Sequence, residues 1–248
     1  MSFKDKTALI TGSNRGIGKA IAKDLARNNC NIVINYCNHE EEAKKLQEEI
    51  IKIYNVEVII IKCDLSNEDE IKNMINQVIN KFGKIDILVN NAGIAIDTLF
   101  EDKTKENFMK TLEINLVGAF LVSKYVGYHM LENRYGKIIN IASTNAINSY
   151  YPMSLDYDAS KAGLISLTHN LAVQYAPYIN VNAVAPGWVN TDMNKELDKS
   201  FIEEENKKIL LNRFANPEEI ASVVSFLASD EAKYINNEVI RVDGGFYV

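Results

Sequence analysis

Thr7-Ala8-Leu9-Ile10-Thr11-Gly12-Ser13-Asn14-Arg15-Gly16-Ile17-Gly18 is the stretch whose reading decides the fold. A short apolar run ends in a glycine-rich turn, and the turn opens an amphipathic pattern of Ile17, Ala20, Ile21 and Leu25. Strand, glycine turn and helix in that order are what a dinucleotide site requires. Glycines let the backbone turn tightly and approach a pyrophosphate, whose charge suits the positive N-terminus of the helix. The spacing is G-x-x-x-G-x-G, with a longer first gap than the common G-x-G-x-x-G. An ordinary glycine turn is the competing reading, so the rest of the chain must decide.

Outward from this unit, short β-branched runs alternate with longer amphipathic stretches. Strands are predicted at residues 7–10, 31–35, 57–63, 85–90, 137–142, 180–185 and 239–242. Helices are predicted at 17–28, 40–54, 67–82, 106–132, 156–175 and 217–228. The strands are apolar almost throughout, which implies cover on both faces and hence parallel pairing. The expected fold class is therefore α/β: a single-domain, Rossmann-type, doubly wound parallel sheet of about seven strands flanked by helices, over residues 1–248. Two helix starts carry caps. Ser66 to Asp69 reads as a capping box with an aspartate in the acidic place, and Asn216-Pro217-Glu218-Glu219 places a cap, a proline and then acids against the helix dipole.

Bulk properties narrow the function. With 248 residues, 47% of them hydrophobic, the chain can bury a full core. A net charge of −6 argues against a nucleic-acid partner. Cys30, Cys37 and Cys63 cannot all pair and have no C-x-x-C spacing, so reduced thiols in a cytoplasmic protein and no metal site are expected. His39, His129 and His169 show no ligand-like grouping. No apolar run approaches membrane-spanning length, and Met1 leads straight into the first strand without a signal-peptide pattern.

The chemistry concentrates in Tyr157-Asp158-Ala159-Ser160-Lys161, with Ser143 upstream. Residues four apart on a helix share a face, so Tyr157 and Lys161 lie one turn apart. An ammonium there is expected to favour the ionised phenol, whose ordinary pKa of about 10 is too high for acid–base work at neutral pH. Tyr157 would then exchange a proton, with Ser143 hydrogen-bonding the oxygen that receives it.

Taken together, Thr11-Gly12 with Gly16-Ile17-Gly18, Asn90-Asn91-Ala92-Gly93, Asn115, Ser143, Tyr157 with Lys161 and Pro186-Gly187 resemble the short-chain dehydrogenase/reductase family, in that family's order. The resemblance covers the chain from Lys6 to Asp243-Gly244-Gly245, and within the family it points to the bacterial 3-oxoacyl-[acyl-carrier-protein] reductases and their relatives. It implies that Tyr157 is the general acid in carbonyl reduction and that Lys161 lowers its pKa and holds the nicotinamide ribose. It further implies that Ser143 polarises the substrate oxygen and that Asn115 holds a water in a proton relay. The implied cofactor contacts are Gly12, Ser13, Asn14, Arg15, Gly16, Ile17 and Gly18, then Asn35, Asp64 and Leu65, then Asn90, Ala92 and Gly93. Tyr157, Lys161, Pro186, Gly187, Val189 and Thr191 complete the set. Asp64 matches the position that binds the adenine amino group, and residues 191–215 match a substrate lid.

The choice of nucleotide turns on the end of the second strand, Asn35-Tyr36-Cys37-Asn38-His39, which has no acid before Glu40. Arg15 in the glycine turn is placed for a 2′-phosphate, so NADP (NADPH) is expected ahead of NAD. The expected substrate is a 3-oxoacyl group on acyl carrier protein. A free sugar, alcohol, diketone or polycyclic ketone is the alternative, and a non-catalytic cofactor-sensing protein a remote one. An acidic carrier needs a basic patch, for which Arg134 and Lys137 are the candidates by sequence. A homotetramer is implied by resemblance alone.

Overall fold

Alternation of apolar faces along β1 (Thr7–Ile10) sets the layers: Ala8 and Ile10 pack into the core on one side of the sheet and Leu9 into the core on the other. β4 (Ile87–Asn90) repeats this, with Ile87 and Val89 on the first side and Leu88 on the second. The computed structural model describes residues 1–147, 150–191, 194 and 197–247. The remaining strands are β2 (Asn31–Tyr36), β3 (Val58–Lys62), β5 (Gly136–Ile141), β6 (Ile179–Pro186) and β7 (Val239–Val242). Among the described residues they form one sheet of seven strands, ordered β3-β2-β1-β4-β5-β6-β7. All neighbours are parallel.

Helices cover both faces. α1 (Gly16–Arg27), α2 (Glu40–Tyr54) and α8 (Pro217–Ala228) bury Ile21, Leu25, Leu46, Ile50 and Val224 against one. α3 (Glu68–Phe82), α5 (Ala119–Glu132) and α6 (Leu155–Tyr175) bury Ile71, Met74, Val122 and Leu171 against the other. Each fully buried Leu, Ile, Val or Met contributes about 1.5–3 kcal/mol relative to exposure. The chain steps outward from β1 to β3, then returns to place β4 beside β1. The turns after β1 and β4 therefore open a crevice at the carboxyl ends of the strands, the ligand position of open α/β sheets.

Two local expectations are corrected. The predicted helix 106–132 divides into α4 (Lys105–Leu112), π-helical turns at Glu113–Gly118, and α5. The wider turns accommodate Gly118, where a Cβ would lie 2.8 Å from the Leu65 carbonyl oxygen, and rotate Asn115 inward. The cap of α3 is Asn67, which accepts from the backbone N–H of Asp69 and Glu70, while Ser66 folds back onto Asp64. The expected cap at Asn216 is present, and Glu219 completes a capping box with it. In the region 191–215, α7 (Lys199–Lys207) is the helical part, and residues 192, 193, 195 and 196 of the expected lid lie outside the described residues.

Candidate active site

The crevice is a cavity of about 670 Å³ running from the glycine turn to Tyr157. Its floor is fixed by hydrogen bonds from β1, β2 and β4. Thr11 Oγ1 accepts from the backbone N–H of Asn91 and of Ala92, each at 3.0 Å. Asn91 Nδ2 donates to the carbonyls of Thr11 and Gly12 at 2.9 and 3.0 Å. From β2, Asn35 Oδ1 accepts from Gly12 N at 3.0 Å. Gly12 holds φ +59°, and a Cβ on it would sit 2.9 Å from Ala92 Cα, so two turns of backbone touch where a side chain would separate them.

The geometry suits a dinucleotide. α1 begins at Gly16 with Arg15 as N-cap, no side-chain cap and no acid in its first turn, which leaves its N–H groups free for an anion. The acid-bearing first turns of α2, α3 and α8 contrast with it. Gly16 faces Thr191 across the cleft, and a Cβ on Gly93 would reach within 3.4 Å of Asn115 Oδ1 and 3.5 Å of Lys161 Nζ. Asp64 is the one carboxylate lining the cleft among the described residues, and its Oδ1 accepts from Ser66 N and Oγ at 2.9 and 2.8 Å.

At the other end stand Ser143, Tyr157 and Lys161. Ser143 follows β5 and caps a short turn, with its Oγ accepting from Asn145 N at 3.2 Å. Tyr157 is half-buried and lines the cleft. Burial pushes that phenol up to about 12, the nearby Ser143 hydroxyl works against the shift by hydrogen-bonding it, and the charges of Asp158 and Asp97 add to the rise. Burial alone takes the Lys161 ammonium down to about 8. Its Nζ donates to the Ile141 carbonyl at 2.7 Å and lies 5.5 Å from the Tyr157 ring centroid. The expectation of a Tyr157 pKa lowered overall by Lys161 is therefore corrected: in this state desolvation outweighs the ammonium and pushes both groups toward their neutral forms.

Gly12, Asn14, Arg15, Gly16, Ile17, Asn35, Asp64, Leu65, Ala92 and Gly93 line the cleft. So do Ser143, Tyr157, Lys161, Pro186, Gly187, Val189 and Thr191. Four expected residues do not. Ser13 is fully buried and donates to the Ile10 carbonyl at 2.8 Å. Gly18 packs so closely that a Cβ would meet Asn91 Nδ2 at 2.5 Å. Asn90 lies inside the sheet, donating to Ser123 Oγ and Asn140 Oδ1 at 2.8 Å each. Asn115 accepts from Ile94 N at 2.8 Å and donates to Ile94 O and Ser160 Oγ at 2.9 and 3.0 Å, so it braces the wall of the site. Sequence reasoning did not foresee Ile94, Ile96, Lys110 and Asn194 in the lining, whereas Cys37 and His39 belong to the segment after β2 on which the choice of nucleotide was expected to turn.

Arg134 and Lys137 do not reach this mouth. They flank the start of β5, whereas Ser143 follows its end. Lys137 is buried and donates to Asn180 Oδ1 at 2.8 Å, and the Arg134 guanidinium lies 5.5 Å from the Tyr178 ring centroid. Trp188 instead ties the loop after β6 to α7. Its indole N–H donates to Glu205 Oε2 at 2.9 Å, and its ring stacks on Phe214 at 5.4 Å.

A family profile described as Enoyl-(Acyl carrier protein) reductase matches residues 12–247. A 3-oxoacyl-[acyl-carrier-protein] reductase of Staphylococcus epidermidis is 40% identical over 246 residues, covering 98% of this chain and 100% of the relative. Among solved structures, levodione reductase aligns with TM-score 0.93 at 33% identity over 98% of each chain. A 3-oxoacyl-[acyl-carrier protein] reductase from Brucella melitensis aligns with TM-score 0.93 at 30% identity, over 100% of this chain and 93% of that one.

Proposed function

The chain belongs to the short-chain dehydrogenase/reductase family and is an oxidoreductase, and from that premise we propose that it reduces a 3-oxoacyl thioester on acyl carrier protein to the 3-hydroxyacyl thioester with NADPH. The observation that carries this reading is the meeting of the Ser143 and Tyr157 hydroxyls at one end of a cleft whose other end is a helix N-terminus. Two hydroxyls aimed at one point suit a carbonyl oxygen that must become a hydroxyl. The carbon–carbon double bond of an enoyl substrate would need its proton at carbon.

Bound NADPH would supply hydride to the carbonyl carbon. The N-terminus of α1 would hold its pyrophosphate, Asp64 its adenine, Lys161 its nicotinamide ribose, and residues 186–191 its carboxamide. Ser143 and Tyr157 donate to the substrate oxygen, and as charge builds there Tyr157 releases its proton. Burial keeps that proton on the phenol at neutral pH, which fits a general acid in the reductive direction. The Lys161 ammonium limits the cost of the phenolate left behind.

Arg15, exposed at the adenosine end beside Asn38 and His39, supports NADP over NAD. Glu42, which accepts from Asn14 Nδ2 at 3.2 Å, opposes it. The exposed apolar face of Val117, Phe120 and Tyr128 supports pairing with further copies in a homotetramer. Residues 191–215 act as the lid in this reading. Among the described residues no helix is long and apolar enough to cross a membrane, in keeping with a cytoplasmic enzyme.

The test is a comparison of kcat/KM for acetoacetyl-coenzyme A with that for free diketones and sugars, each with NADPH and NADH. The thioester with NADPH should lead. A free ketone that exceeds it by about tenfold would move the assignment to a small-molecule reductase, the activity named for the levodione relative.

A further inference from the structure

Tyr157 stands between two carboxylates tied to different walls of the cleft. Asp156 is fully buried; its Oδ1 accepts from Lys103 Nζ at 2.9 Å and its Oδ2 from Thr111 Oγ1 at 2.7 Å. Lys103 is nearly buried as well and also donates to the carbonyl of Ile96, a residue lining the cleft. On the other side, Asp158 Oδ1 accepts from Asn145 Nδ2 at 2.7 Å and its Oδ2 from Tyr151 N at 3.1 Å. The backbone N–H of Asn145 in turn donates to Ser143 Oγ. Successive helical residues project about 100° apart, so residues 156 and 158 reach different walls while Tyr157 enters the cleft between them.

We infer that Asp156 and Asp158 are positioning residues for the proton transfer, fixing the Tyr157 phenol and the Ser143 hydroxyl against each other. The inference rests on Tyr157 as proton donor. Asp156 joins the start of α6 to Thr111 of α4 and, through Lys103, to the wall at Ile96. Asp158 joins the same turn of α6 to the turn that carries Ser143. Stability alone is a poor reason for the buried pair, because apolar residues of similar volume would stabilise the fold as well without removing two charges from water, though without the directed hydrogen bonds that fix position. Geometry is a better one, since displacement of a reacting group by about 1 Å can cost on the order of a hundredfold in rate. Asp158 contributes a second effect through its charge. Together with the charge of Asp97 it raises the pKa of the phenol.

The test uses the purified full chain with acetoacetyl-coenzyme A and NADPH. Asp156→Asn, Asp158→Asn and the apolar pair Lys103→Met with Asp156→Leu should each lower kcat about 10- to 100-fold. NADPH affinity should stay within about threefold and the far-ultraviolet dichroism should be unchanged. The apolar pair carries the test if a single variant fails to fold. In the Tyr157→Phe background the same substitutions should change the residual rate by less than about threefold, because no phenolic proton remains to be placed. Parent-like kcat in the folded variants, or an equal loss in the Phe background, overturns the inference while a slow Tyr157→Phe keeps the functional reading. A parent that turns nothing over, or a Tyr157→Phe as fast as the parent, overturns both.

Discussion

Replacing Lys161 by methionine should make the protein more stable and less active. The ammonium is 3% exposed, and burial is the cause that moves its pKa from 10.5 to about 8. At about 1.36 kcal/mol per pK unit, the charged form carries a penalty of about 3 kcal/mol in the folded state. Methionine fills a similar volume without that penalty but gives up the hydrogen bond to the Ile141 carbonyl, worth about 1 kcal/mol. The net gain at pH 7 is about 2 kcal/mol, or about 4–8 °C in Tm for a chain of this length. The sign of the pH dependence is fixed by linkage. The folded pKa lies below the unfolded one, so the parent's penalty is fully present below pH 8 and fades as pH rises toward 10.5. Calorimetric melting of both proteins at pH 7 and near pH 10 should show a gap that closes at the higher pH. A methionine variant that melts at or below the parent at pH 7 would refute the claim that an uncompensated buried charge sits at this site. Stability is here given up for function: the variant should lose turnover, because the ribose contact and the support of the phenolate go with the ammonium.

NADPH should bind about tenfold to a hundredfold more tightly than NADH, and Arg15→Ala should erase most of that difference, as fluorescence titration would show. Tighter NADH binding by the parent would reverse the nucleotide assignment. Glu42→Gln should raise NADPH affinity by about threefold, since a carboxylate beside Asn14 repels a phosphate placed nearby. In the pH profile of kcat/KM, a basic limb near 8 should mark the loss of the Lys161 proton, well below the Tyr157 value of about 12. Arg134→Glu should leave carrier-linked turnover unchanged, because Arg134 lies at the opposite end of β5 from Ser143.

What the sequence made legible was chemistry confined to a short stretch of chain. The glycine turn after β1 and the Tyr157/Lys161 spacing each depend on one loop or one helical turn, and both lie where their pattern implied. The layered sheet was legible for the same reason, since apolar runs and amphipathic stretches alternate along the whole chain. Features that depend on contacts distant in sequence were not legible. The π-helical turns at Asn115 coincide with the close approach of Gly118 to Leu65, and no periodicity within 106–132 announces that. Ser13, Gly18 and Asn90 look like contact residues in a motif, yet they hold the loop from behind. The misplacement of Arg134 and Lys137 came from reading proximity along the chain as proximity in space, when a whole strand separates them from Ser143. The pKa of Tyr157 was misjudged because a neighbouring ammonium is visible in sequence and depth of burial is not.

The central claim is that the Tyr157 phenol delivers the proton in reduction of a 3-oxoacyl thioester. The measurement that meets it most directly is the steady-state rate of NADPH consumption with acetoacetyl-coenzyme A, compared between the parent and Tyr157→Phe. That substitution removes a single oxygen and its proton and leaves the ring that fills the site. The predicted result is loss of about two to four orders of magnitude in kcat with unchanged NADPH affinity. A variant within about threefold of the parent, too little for the loss of a general acid, would contradict the account.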